Sequence, residues 1–180
     1  LMAGYDKAAF SGNEHKISVS QPTDEEIFGT RNIALNSHDR RGHKKSYPHA
    51  YANFVTREDP CFFERNAIDG VCRNENHGGY PYHSWAGGAR EDLGYYIDFG
   101  REVEVEKVVF FLRADFPHDT YWKNIDVEFS DKSRVTASFE ETAEGQALIL
   151  PEKKKTSIIH LTGFKQAVNP LSWAALSQIE

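Results

Sequence analysis

Two short segments of the 180-residue chain concentrate the side chains able to do chemistry: His77-Gly78-Gly79-Tyr80-Pro81-Tyr82-His83-Ser84-Trp85 and Arg113-Ala114-Asp115-Phe116-Pro117-His118-Asp119-Thr120-Tyr121-Trp122. Tyr80, Tyr82, Trp85, Tyr121 and Trp122 offer flat π faces on which apolar C–H groups pack. His77, Arg113, Asp115, His118 and Asp119 offer donors and acceptors, the charged ones making the stronger hydrogen bonds. That combination suits a ligand with an apolar ring face and a rim of hydroxyls, since ligand sites join apolar walls to a few placed polar groups. Structural roles compete for the same residues. Trp85 serves equally well as core beneath the loops. Arg113 and Asp115, two residues apart, can tie down a loop as a buried pair without touching ligand. Pro81 and Pro117 shape turns.

Catalysis finds less support. Eight histidines invite a metal site at His38 with Asp39 and His43, at His77 with His83, or at His118 with Asp119. No His-Glu-x-x-His, no cysteine pair at zinc spacing and no facial-triad spacing accompanies them. No Gly-x-Ser-x-Gly elbow is present. Asp115 and Asp119 form a carboxylate pair of the type used in glycoside hydrolysis, but on one short loop they have no reason to flank a scissile bond. We therefore expect no enzyme. Cys61 and Cys72 either close a short disulfide loop or serve as two small buried thiols, and sequence leaves both open.

These segments need a scaffold, and the second half of the chain supplies a strand pattern. Ile125, Val127 and Phe129 alternate with Asp126 and Glu128, and after Ser130-Asp131-Lys132-Ser133 the alternation resumes at Val135, Ala137 and Phe139. This predicts a hairpin with those apolar residues facing one core. Two strands are expected between Tyr95 and Arg113 around Gly100-Arg101-Glu102, with Val108 to Leu112 apolar on both faces as in a covered central strand. Leu148 to Leu150, Ile158 to Leu161 and Ala174 to Ile179 read as further strands. The fold class is all-β, an antiparallel sandwich or jelly roll. The first half is loop-rich and crowded with His, Tyr, Asn, Arg and Gly, as binding loops are.

Composition sets further bounds. The net charge of −6 argues against a nucleic-acid partner, which would call for a basic stripe. The one dense basic run, Lys153-Lys154-Lys155, follows Pro151 and reads as a solvated turn. No apolar stretch approaches the roughly 18 residues of a membrane span. Residues 1–30 carry a separate pattern, with Ile17 and Val19 marking a short strand and Asp24 to Gly29 one helical turn capped by Thr23. They read as a linker or the tail of a preceding small domain, with residues 31–180 as the main domain and additional domains expected in the parent chain.

From Arg31 onward the chain resembles a known family. Asn32-Ile33-Ala34-Leu35-Asn36 resembles the N-L-A-L-N opening of discoidin-like (coagulation factor 5/8 C-type) domains. Arg65-Asn66-Ala67-Ile68-Asp69-Gly70 resembles their A-x-D-G turn, with Trp85 where they place a tryptophan soon afterwards. Tyr96-Ile97-Asp98-Phe99-Gly100, the strand from Val105 to Leu112, Val127-Glu128-Phe129-Ser130-Asp131 and Ala175-Leu176-Ser177-Gln178-Ile179-Glu180 follow in the family's order. The resemblance implies an eight-stranded, galactose-binding-like jelly roll with its ligand loops at one end. Bacterial members act mostly as carbohydrate-binding modules, so a carbohydrate is the expected ligand. Other members bind lipid head groups or proteins, which keeps a protein-interaction or assembly module as the alternative. The segments 77–90 and 113–122 are longer than the usual family loops. The resemblance also implies a structural calcium ion, here through Asp69 and backbone oxygens of the following loop. No cofactor is required, however, and Gln178 stands where a family glutamate helps hold that ion. An amide oxygen is a poorer ligand for a hard cation than a carboxylate.

Overall fold

A computed structural model describes residues 19–43, 45–72, 82–114, 120–167 and 174–180. The described strands are β1 (His49–Ala52), β2 (Trp85–Ala86), β3 (Tyr95–Leu112), β4 (Trp122–Phe129), β5 (Arg134–Ser138), β6 (Gln146–Gln166) and β7 (Ala175–Ile179). All pair antiparallel. A short helix, α1 (Asp24–Phe28), precedes them. Its start is a capping box: Glu26 N–H donates to Thr23 Oγ1 at 3.2 Å, and Thr23 N–H to Glu26 Oε2 at 2.8 Å.

The frame is set by β3 and β6, which run together along one layer, turn a corner and return along the other. Tyr95 to Asp98 pair with Leu161 to Ile158, whereas Lys107 to Phe110 pair with Ile149 to Gln146. One layer is therefore β1-β3-β6-β4-β5 and the other β2-β7-β3-β6. The sequence predicted separate strands on either side of both corners. The structure joins them, because the ladder continues through the corner, with Val103 to Val105 opposite Thr156 to Lys154. Gly100 makes the bend with φ +64°, a left-handed conformation that favours glycine. The lysine run is accordingly part of a bent strand rather than a turn. It is solvated and faces acids, with Lys153 Nζ 3.2 Å from Glu104.

The predicted alternation holds. Ile125, Val127, Phe129 and Phe139 are buried and Val135 is packed half-buried against them. Their register is that of the predicted hairpin, with Ile125 opposite Ala137 and Val127 opposite Val135. Every residue of β7 is buried, because irregular chain with 3-10 turns at Thr56–Glu58, Pro60–Phe62 and Glu64–Ala67 packs against that layer. Val19 is exposed and lies in no strand; Ile17, the other half of that expected strand, lies outside the described residues. Cys61 and Cys72 are free thiols, the first of them buried.

Because β3 and β6 double back, both ends of each strand lie at the end of the sandwich opposite the corner. The connections after β1, before β3, from β3 to β4 and from β6 to β7 all leave from that loop end.

Candidate functional site

The described residues of the two sequence-predicted segments meet at the loop end. Trp85 and Leu112 both face Leu176 of β7, and Arg113 N–H donates to the Ala175 carbonyl at 2.9 Å. The Trp85 and Trp122 ring centroids are 5.5 Å apart, with Tyr95 4.8 Å from Trp85 and Phe164 4.8 Å from Trp122. The meeting of these described residues is thus built into the strand order.

The two tryptophans do not present ligand-facing surfaces, which corrects the sequence expectation. Trp85 is 0% and Trp122 1% exposed, and the Trp85 indole N–H donates to the Phe54 carbonyl at 3.1 Å. Large apolar rings gain most by leaving water, so these form the floor beneath the loops. Arg113, at 5% exposed, is also buried rather than held out to ligand. Tyr82 and Tyr121 are half-buried, each with part of the ring against the core. His77, Tyr80, Asp115, His118 and Asp119 lie outside the described residues.

Beside this floor stands a group that the sequence reading missed. The chain leaves Trp85 through Gly87 and Gly88. A Cβ on Gly87 would lie 2.9 Å from the Trp85 ring and 2.7 Å from Leu93, so a larger residue here would displace Leu93 and press on the buried ring. Gly88 adopts φ +68°. Arg90 then lies over the Phe54 ring, 5.0 Å from its centroid, and holds Asp92 by two hydrogen bonds of 2.8 and 2.6 Å. Asn53 anchors the same loop, accepting from Gly94 N–H at 2.9 Å and donating to the Asp92 carbonyl at 2.6 Å. The Arg90 guanidinium keeps the Asp92 carboxyl below the usual range, so the pair is ionised at neutral pH. Both side chains reach solvent, giving a rigid donor-acceptor fork on an aromatic ring. Nearby, Arg57 and Glu58 take φ +56° and +52°, a conformation costly for side chains with a Cβ. Among the described residues the buried Thr56 and Thr120 hydroxyls have no hydrogen-bond partner. Gly-Gly after a tryptophan and the Arg-x-Asp spacing were visible turn and pair signals; Phe54 gave none.

A cavity of about 560 Å³ lies at the corner end, away from these segments, between residues 27–34 and the bend of β3. Its charged groups engage neighbours across it, with Thr30 Oγ1 donating to Glu106 at 2.6 Å and Lys153 meeting Glu104 and Glu106.

Of the turn expected to hold calcium, Asp69 and Gln178 are described, whereas the backbone oxygens of residues 73–80 lie outside the described residues. Asp69 is a single carboxylate whose Oδ1 already accepts from Val71 N–H at 2.9 Å, and the Gln178 amide oxygen accepts from Gly70 N–H at 3.1 Å. Burial raises the Asp69 carboxyl to about 6, against the opposing pull of the Val71 N–H and the Arg65 charge. No group of three His, Cys, Asp or Glu side chains able to hold a metal occurs among the described residues.

No protein-family model matches the chain, and no curated protein matches it. Solved structures do. Chitosan-binding module 1 from a Paenibacillus sp. IK-5 chitosanase/glucanase superposes with a TM-score of 0.57 at 16% identity, covering 84% of this chain and 98% of that one. The lectin domain of lectinolysin complexed with Lewis B antigen gives a TM-score of 0.57 at 16% identity, with 84% and 95% covered. The family 32 CBM from C. perfringens NanJ in complex with galactose gives 0.54 at 12% identity, with 72% and 89% covered. At these identities the likeness is one of fold. The chain shares the antiparallel β-sandwich fold of these modules.

Proposed function

We propose that this chain is a non-catalytic carbohydrate-binding module, part of a larger bacterial protein, that takes its ligand at the loop end of the sandwich. Residues 31–180 are the binding domain and residues 1–30 a linker or the tail of a preceding small domain. The observation that carries the reading is the meeting of the described parts of both segments, through Trp85, Arg113 and Trp122, at one end of the sandwich. The fold likeness to modules solved with galactose and Lewis B antigen supports it. In this reading Tyr82, Tyr121 and Phe54 supply apolar faces, and Arg90 and Asp92 bind hydroxyls. His77, Tyr80, Asp115, His118 and Asp119 complete the rim, while Trp85, Trp122 and Arg113 hold it from beneath.

The test is a glycan array followed by titration calorimetry on the best ligand, comparing the parent with Arg90→Ala. A hydrogen bond to a charged group contributes about 1.5–3 kcal/mol, so affinity should fall roughly 10- to 100-fold. The exposed Arg90–Asp92 pair adds little to stability, and the melting midpoint should move by no more than about 4 °C. Unchanged affinity in Arg90→Ala would remove the fork from the site.

One observation favours a second reading, a protein-interaction module. A solvent-facing row crosses the β1-β3-β6-β4-β5 layer: Tyr51 stacks on Tyr96 at 4.6 Å, Tyr96 on His160 at 3.9 Å, and Glu128 holds Arg134 at 2.8 Å. Tyrosine and arginine are the residues enriched at interface hot spots. A chain that binds no glycan directs attention to this face, probed by Tyr51→Ala in a partner pull-down.

A further inference from the structure

We infer that the turn after Ile68 is locked by a clasp of side-chain oxygens around its own hydrogen-bond donors, and that the domain needs no calcium ion there. The inference is independent of the sugar-binding reading. Three consecutive residues of the turn point their donors at three oxygens. Gly70 N–H donates to Gln178 Oε1 at 3.1 Å, Val71 N–H to Asp69 Oδ1 at 2.9 Å, and the Cys72 thiol to Glu180 Oε1 at 3.7 Å. Calcium binds six to eight oxygens whose lone pairs face the ion. Here one lone pair of each of these oxygens is already taken by an N–H or S–H donor. A cation placed among them would meet the same positive dipoles.

Gln178 is the centre of the clasp. It is 0% exposed, and it spends both ends of its amide, since Nε2 donates to the Ile179 carbonyl at 3.3 Å. A glutamate at this position would bring a buried negative charge that needs a counter-ion. The amide satisfies the same backbone N–H with no charge to neutralise. Two more contacts close the turn. Gly70 takes φ +93° with Leu35 against it, and Asn36 N–H donates to the Ile68 carbonyl at 2.7 Å.

The experiment is thermal melting of the whole chain in EDTA and in millimolar calcium, with metal content measured after purification from calcium-containing buffer. A structural calcium present at 100 times its Kd would raise the midpoint by about 5–10 °C. We expect the two midpoints to agree and no stoichiometric calcium to be retained. Gln178→Leu, which keeps the volume but leaves the Gly70 N–H unanswered, should melt several degrees lower in both buffers. A parent midpoint that rises 5 °C or more with calcium overturns the inference, as does a Gln178→Leu variant that melts with the parent.

Discussion

Replacing Trp122 by alanine separates a floor residue from a ligand platform. The side chain is 1% exposed and lies between Trp85, at 5.5 Å, and Phe164, at 4.8 Å. Removing a buried tryptophan costs about 3–5 kcal/mol, made up of lost transfer energy and the cavity left behind. The two aromatic contacts, at about 0.5–1.5 kcal/mol each, are part of that cost. For a domain of this size the loss corresponds to a midpoint lower by about 6–20 °C. Denaturant unfolding followed by far-ultraviolet circular dichroism measures it, with the slope expected to stay constant so that the change is one of stability. Trp122→Phe keeps a ring in place and should lose less. Binding by the folded fraction of Trp122→Ala should persist, weakened only through slackening of the loops above. A Trp122→Ala variant that melts within about 2 °C of the parent while losing glycan affinity tenfold or more would show instead that the ring touches ligand.

Stability should also depend on pH in a definite sense. Burial raises Asp69 from 3.8 to about 6, so between these values the native state holds more protons than the unfolded chain. Stability is gained as pH falls from 7 toward 4, by up to about 3 kcal/mol, and is lost as pH rises through 6. Glu64, also raised by burial, acts in the same direction. Glu128 acts oppositely: Arg134 and Lys132 hold it at about 2 against an ordinary 4.5, so its contribution is present above 4.5 and lost as pH falls through 2. Melts from pH 3 to pH 8 should therefore peak near about pH 4–5, and Asp69→Asn should flatten the slope between 4 and 6. An unchanged slope in that variant would show that Asp69 is not the group responsible. At the loop end, Gly87→Ala drives a methyl to 2.7 Å from Leu93 and 2.9 Å from Trp85. Chemical denaturation should register a loss of about 1–3 kcal/mol, and a neutral substitution would mean that the loop does not rest on the Trp85 ring.

The strands of the second half were legible in the sequence because period-two alternation is a local signature of a surface with one face in water. Ile125, Val127 and Phe129 needed no partner to be recognised, and the Thr23–Glu26 capping box is likewise contained within one turn. The loop-end segments were legible as chemistry through their residue types alone. Which of those residues face outward was not. Trp85 and Trp122 look the same in sequence whether they stack on a ligand or on each other, and only the packing that sets Trp85 opposite Leu176 and both rings against Phe164 buries them. The joining of strands through the corner escaped detection for a related reason. Pro151 and the lysines are turn signals locally, and the pairing of Thr156 with Val103 that carries the ladder past them comes from a strand about fifty residues away. The Arg90–Phe54 stack and the Gln178–Gly70 hydrogen bond also join residues far apart in the chain, 108 positions in the second case. Sequence by itself determined the alternating strands, the fold class and the residue types crowded into the loops, because those rest on short-range periodicity and side-chain chemistry. Tertiary structure alone decided which aromatic rings are floor and which oxygens are already taken, because burial and hydrogen-bond partnership depend on neighbours that the chain brings together only when it folds.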